Sequence, residues 1–350
     1  MICRDGCAEP TNSSYSGEAG DQPQRPPKIP RIEEEDQVES MKPPKPGLQR
    51  YLVAFEYIGT RFFGSQQQPH QRTAVGVLQD AFEKFVGQPV SISGSSRTDA
   101  GVHALSNVCH VDVVRISKRK PGEVLEPHEP SVVRRAVNHF LQREGDIMVI
   151  DVRSVPSDFH ARYKAQERTY YYRLLSGPES LSTFERDRAW HVLEELNLQA
   201  MQEACKVLVG HHDFSSFRAA GCQAKSPVRT LDELHVTESV SVPNFPSVTE
   251  SKPSDIGAQG VPNNSEKEFN GFCQEFGIRS GHRCLVVKAR SHSFLYHQVR
   301  LLVGALKCVG TGHLTVADVQ RILDAKTVAA ACPMAPACGL YLGRVKYDLD

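Results

Sequence analysis

Between residues 51 and 155 the chain passes from extended to helical apolar spacing and back, twice, and this order restricts the fold more than any single motif. "YLVAFEYIG" (51–59) is rich in β-formers and apolar on both faces, as a covered strand is. "TAVGVLQDAFEKFVGQP" (73–89) then sets Val75, Leu78, Phe82 and Phe85 at helical spacing and stops at Pro89. Two short strands follow, "VSISGSS" (90–96) and "VCHVDVV" (108–114). "PSVVRRAVNHFLQR" (130–143) predicts a helix with Val132, Ala136, Phe140 and Leu141 on one side, and "DIMVIDVRSV" (146–155) a closing strand. The order β-α-β-β-α-β is the split-βαβ, ferredoxin-like signature.

A similar order recurs from Arg168 onward. "RTYYYRLL" (168–175) reads as a strand, and "NLQAMQEACKVLVG" (197–210) as a helix capped by Asn197 and ended by Gly210. Strands are expected around 214–217 and 229–238 and at "RCLVVKARS" (283–291). "FLYHQVRLLVGALKCVG" (294–310) reads as a long helix, Thr315 with Asp318 as a capping box, and "GLYLGRVKY" (339–347) as the last strand. The expected class is α+β: two ferredoxin-like halves with mixed antiparallel sheets, leaving a central cleft of the kind in which sites usually sit.

Two stretches fall outside that pattern. Residues 1–48 carry nine acidic side chains against six basic ones, with proline clusters and no apolar period, and read as a disordered tail. Residues 240–278, with five acids against two bases, read as a disordered insertion between strands. The expected domains are therefore the tail, an N-terminal α+β domain at 49–155, and a C-terminal one at 156–350 that carries the insertion. The chain is formally neutral, so the remainder holds about six positive charges, which permits a polyanionic partner without demanding one. No run approaches the roughly 18 apolar residues of a membrane span. The tail's acidity argues against a transit peptide and favours cytoplasm or nucleus; translation from Met41 would expose a more basic start and keep a mitochondrial destination open. The ten cysteines form no CxxC pair and read as reduced, mostly buried thiols.

Several chemistries can be set aside. The sequence has no GxxxxGK[ST] phosphate loop, no GxSxG, no zinc-finger spacing and no zinc-deaminase pattern. The expectation is a site without metal or cofactor. What remains is polar residues at the edges of apolar elements. Asp99, in "SGSSRTDAGVHALSN" (93–107), lies in a tight segment between two strands, where a loop is held rigid and can present a side chain. Asp-x-Gly is equally an ordinary turn. Arg97 could pair with that carboxylate or grip a phosphate. Arg300 sits among Leu295, Val299, Leu302 and Leu306; if buried it needs a carboxylate partner, and if not it lies on a solvated helix face. Tyr170 and Tyr172 share one sheet face and Tyr171 the other; core packing explains at least one, and stacking on a base is the alternative.

"SSRTDAGVHA" (95–104) closely resembles the Asp-containing motif of the TruA family of tRNA pseudouridine synthases. "FEYIGTRFFGSQQQ" (55–68), "DFHARYKAQERTYYYRLL" (158–175), "GHHDFSSFRA" (210–219), "SPVRTL" (226–231), "SFLYHQVRLLVGAL" (293–306) and "GLYL" (339–342) are similar to further blocks, in family order. "SSRTDAGVHALSN" points to the eukaryotic branch. The resemblance implies an RNA isomerase turning uridine into pseudouridine in the anticodon arm of tRNA, at positions 38–40. Asp99 then matches the catalytic nucleophile, Tyr170 the tyrosine stacked on the everted uracil, and Arg300 the basic residue paired with the aspartate. Leu340 matches the aliphatic residue of the pocket and Arg97 the arginine holding the flipped nucleotide. The resemblance further implies no cofactor and a homodimer over which tRNA, or another RNA, runs. The sequence departs from the family at Ser65 and Gln67, where Trp and Arg are usual. The competing functions are an RNA-binding protein without catalysis and an N-glycosidase that releases free base.

Overall fold

The structure, a computed structural model, describes residues 47–120, 122–239 and 281–349. The expected insertion at 240–278, and the expected tail up to residue 46, lie outside these residues. The first half follows the expected order: β1 (Leu48–Tyr57), α1 (Ala74–Val86), β2 (Ile92–Gly94), β3 (His103–Val114), α2 (Pro130–Leu141) and β4 (Ile147–Val155). The second holds β5 (Glu167–Ser176), β6 (Trp190–Val192), α3 (Leu198–Leu208), β7 (Gly210–Asp213), β8 (Val228–Ser239), β9 (Arg283–Ser291), α4 (Gln298–Gly310), α5 (Val316–Ala325) and β10 (Leu340–Lys346).

Local chemistry accounts for the helix ends. The Thr73 side chain accepts from the Gly76 N–H to start α1, and Gly87, at φ +76°, ends it in the left-handed conformation that glycine adopts without a Cβ clash. Asn197 caps α3, and Thr315 and Asp318 form a reciprocal capping box on α5.

The strands form one ten-stranded sheet in the order β4-β1-β3-β10-β5-β9-β8-β7, with β2 beside β3 and β6 beside β5. Within it, β4-β1-β3-β2 and β10-β5-β9-β8 have the same arrangement, so each half is a mixed α+β unit of the expected kind. The two arrays meet along β3 and β10, which run parallel, with Tyr341 opposite His103 and Leu342 opposite Ala104. On its other side β10 sets Leu340 opposite Tyr172 and Leu342 opposite Tyr170. One hydrophobic core runs through both halves. Among the described residues no helix is long and apolar enough to cross a membrane.

Three expectations need correction. The buried face of α2 is Val133, Val137 and Leu141, an i, i+4, i+8 stripe, whereas Phe140 is exposed. The strand expected at 214–217 lies at Gly210–Asp213, and Ser215–Phe217 is a 3₁₀ turn initiated when the Asp213 carboxylate accepts the Ser215 N–H. Helix α4 begins at Gln298 rather than Phe294, because His297 takes a left-handed backbone (φ +62°, ψ 7°) that no helix continues through.

Candidate active site

Asp99 sits in the loop between β2 and β3, at the seam of the sheet, and its neighbours in the chain are pinned on both sides. Ser65 donates its N–H to the Thr98 carbonyl (3.0 Å), and the Thr98 N–H returns to Ser65 Oγ (2.8 Å). The Tyr57 hydroxyl meets Thr98 Oγ1 at 2.7 Å, and the Gly101 N–H donates to the Phe62 carbonyl at 3.2 Å. Burial, with the hydrogen bond to Thr98 opposing it, pushes the Tyr57 phenol up to about 12, so it remains neutral. The segment after β1 can lie this close because it carries glycines. A Cβ on Gly59 would stand 2.0 Å from the Val102 carbonyl oxygen, and one on Gly64 2.7 Å from that of Thr98. Ser65, where the family usually has Trp, is thus a 1%-exposed clamp on the Asp99 loop, whereas Gln67 is exposed.

Two groups from the second half reach the same carboxylate oxygen. His297 Nε2 lies 3.2 Å from Asp99 Oδ2, and Arg300 Nη1 lies 3.5 Å from it, at the outer limit of hydrogen bonding. The Asp99 side chain is 27% exposed, against 14% for His297 and 12% for Arg300, so the carboxylate and the guanidinium meet in a partly desolvated place where attraction is stronger than in water. Arg300 is aimed by its other nitrogen, since Nε donates to the Ala335 carbonyl at 2.8 Å. The His297 ring stacks on Tyr296 with centroids 3.7 Å apart.

Tyr170 on β5 is buried and meets the Phe294 ring edge-on at 5.2 Å. Burial raises its phenol well above the ordinary range, and the nearby Tyr57 and Asp99 add to the rise. Two residues earlier on the same strand, Arg168 ties the base of the Asp99 loop to the second half. Its guanidinium donates to the Ser95 carbonyl (3.1 Å), Ser96 Oγ (3.2 Å), the Arg162 carbonyl (3.2 Å) and the His292 carbonyl (2.6 Å). A buried cation satisfied by neutral acceptors is expensive to hold, and burial lowers its pKa accordingly. Leu340 is 5% exposed, at the start of β10 opposite Tyr172, while Leu342 is the residue opposite Tyr170. Arg97 is exposed, two residues before Asp99. The structure therefore brings Asp99 and Arg300 together, with Tyr170 near enough to sense the carboxylate's charge, and sets Arg97 at the loop's solvent side. Among the described residues no three His, Cys, Asp or Glu side chains gather as a metal would need.

The family model described as tRNA pseudouridine synthase matches residues 53–164 and 204–348. The chain belongs to that family. Three proteins called tRNA pseudouridine synthase A illustrate the likeness. Those of Xanthobacter autotrophicus and Rhodospirillum centenum are each 37% identical over 300 residues, which is 86% of this chain and 100% of the relative. That of Agrobacterium fabrum is 35% identical over 301 residues, 86% of this chain and 93% of the relative. Asp99 and Ser65 fall in the first matched span of this synthase, His297, Arg300 and Leu340 in the second, and Tyr170 between the two.

Sequence reasoning passed over three residues that the structure puts at the site. His297 was visible only as a polar residue three positions before Arg300, the spacing at which two side chains share a helix face. Ser65 stood out as a departure from the family and not as a clamp. Arg168 opens a strand of tyrosines and carries no local signal of burial.

Proposed function

We propose that this tRNA pseudouridine synthase acts on uridines of the anticodon arm, positions 38–40, with Asp99 as the nucleophile. The juxtaposition of the Asp99 carboxylate with a guanidinium and an imidazole from the other half of the molecule is the observation that carries this proposal. Tyr170 stacks on the everted uracil, Arg300 pairs with Asp99, Arg97 holds the flipped nucleotide from the solvent side, and Leu340 contributes to the apolar wall. The protein is a homodimer of the family's eukaryotic branch, acting in cytoplasm or nucleus.

The reaction breaks the N1–C1′ bond, turns the freed uracil and joins C5 to C1′, and the C5 proton is released. Everting the uridine costs about a few kcal/mol, least in a loop. The carboxylate then attacks C1′ or C6, or stabilises positive charge at the sugar during elimination. In each route it works as the anion. The Arg300 guanidinium and the His297 imidazole both reach Oδ2, so Oδ1 is the oxygen left to meet the substrate. A buried tyrosine ring holds the detached base while it turns, and the exclusion of water keeps the sugar from hydrolysis. The test is pseudouridine mapping of RNA from cells with and without the gene. Loss of pseudouridine at positions 38–40 is expected, and an unchanged anticodon arm would refute the substrate assignment.

A further inference from the structure

We propose that His297 is a second positioning residue for the Asp99 carboxylate, which together with Arg300 fixes the oxygen that meets the substrate. This rests on the assignment of Asp99 as the nucleophile. His297 Nε2 is the nearer of the two partners, at 3.2 Å from Oδ2 against 3.5 Å for Arg300 Nη1. A carboxylate held by one guanidinium at that longer distance can still rotate about its Cβ–Cγ bond. A second polar group within 3.2 Å of the same oxygen, from three residues earlier in the chain, restricts that freedom.

The backbone is arranged to bring the imidazole there. His297 precedes α4 with φ +62°, a conformation that side chains other than glycine rarely adopt because Cβ crowds the following carbonyl. The chain holds that cost in place from several sides. The His297 carbonyl accepts the Leu301 N–H (3.1 Å), the Gln298 N–H donates to the Leu295 carbonyl (3.1 Å), and the Leu295 N–H donates to the Gln298 Oε1 (2.8 Å). The Tyr296 carbonyl accepts the Ala219 N–H at 3.1 Å, and the Tyr296 ring lies 3.7 Å from the imidazole, centroid to centroid. A rare backbone conformation held by this many contacts is where a constrained functional side chain is expected. Gln298, buried to 1% exposure, has a structural task in this turn, whereas the imidazole's polar contact is with Asp99.

The test uses the full chain and a tRNA transcript carrying [5-³H]uridine, with single-turnover tritium release and tRNA affinity measured separately. His297→Gly removes the imidazole and also relieves the backbone strain, so the melting temperature should hold or rise. Its single-turnover rate should nonetheless fall by about ten- to a hundredfold, the effect of losing one close polar contact to a charged group. Affinity for tRNA should stay within about twofold. His297→Gln, which returns an N–H donor at similar reach, should recover much of the rate. Asp99→Asn in the same assay separates the two levels. An inactive Asp99→Asn beside a His297→Gly of wild-type rate would overturn the role of His297 and leave the function standing. A loss that lies wholly in tRNA affinity would also overturn it, as would no recovery in His297→Gln. A fully active Asp99→Asn would remove both.

Discussion

Arg300 and Ala335 hold each other twice: the Arg300 Nε donates to the Ala335 carbonyl at 2.8 Å, and the Ala335 N–H donates back to the Arg300 carbonyl at 3.1 Å. The guanidinium is thereby fixed before it meets Asp99, at the cost of one of its donors. The segment before β10 can come this close because residue 304 of α4 is glycine; a Cβ there would stand 2.0 Å from the Pro333 carbonyl oxygen. Arg300→Ala is expected to slow single-turnover isomerisation about a hundredfold and to destabilise the fold by about 1–2 kcal/mol, because the Ala335 carbonyl and Asp99 both lose a partner. Tritium release and thermal melting of the purified variant measure the two effects. Unchanged turnover would reduce the arginine to a structural brace.

Replacing Asp99 by Asn keeps the shape of the side chain and removes the anion proposed as the nucleophile. The rate should fall below about a thousandth of wild type, with tRNA affinity and melting temperature nearly unchanged. Gel-shift titration beside the tritium assay separates binding from chemistry.

Tyr170 is expected to act through its ring, since burial keeps its phenol protonated. Tyr170→Phe should therefore retain activity within about tenfold, and Tyr170→Ala should lose most of it. A Phe variant as slow as the Ala variant would assign the hydroxyl a role in proton transfer.

Ser65→Ala takes the acceptor from the Thr98 N–H, in a place where water does not replace it. The expected cost is about 1–3 kcal/mol of stability, together with a lower turnover from a loosened Asp99 loop. Denaturant titration reads the first and single-turnover kinetics the second. A variant as stable and as fast as wild type would show that the loop is held by its other contacts.

His110 gives the fold an acid-sensitive element. It is 6% exposed, its Nδ1 accepts the Ala161 N–H at 3.2 Å, and burial, with Arg50 and His160 nearby, pushes it down to about 3. The unfolded chain would protonate this histidine near its ordinary pKa of about 6.5. Its contribution to stability is therefore fully present above that pH and is lost as pH falls from there toward 3, by up to about 1.4 kcal/mol per pH unit. Melting curves between pH 7 and 4 should show a shallower decline for His110→Asn than for wild type.

Much of this architecture could be read from spacing. "RCLVVKARS" coincides with β9 because Leu285, Val287 and Ala289 alternate onto one buried face, and Thr315 with Asp318 marks the start of α5 through local hydrogen bonds alone. What escaped depends on contacts distant in sequence. Leu295 continues the apolar stripe of α4, so periodicity carries the helix back past His297, whose left-handed backbone is fixed by its surroundings. Trp190–Val192 is too short to show a period and becomes a strand only beside β5. Asp99 was legible through its motif and Arg300 through the oddity of a guanidinium among leucines. Ser65 and Arg168 needed the fold, since each acts on backbone atoms about thirty or seventy residues away.

The parallel seam of β3 and β10 has a temporal consequence. β10 follows every other described element in chain order, yet it lies in the middle of the sheet and joins the half that carries Asp99 to the half that carries Arg300. A nascent polypeptide stalled before residue 340 lacks the strand that unites the two, so truncated translation products should have no activity toward RNA. The enzyme is expected to become competent only when synthesis has passed β10.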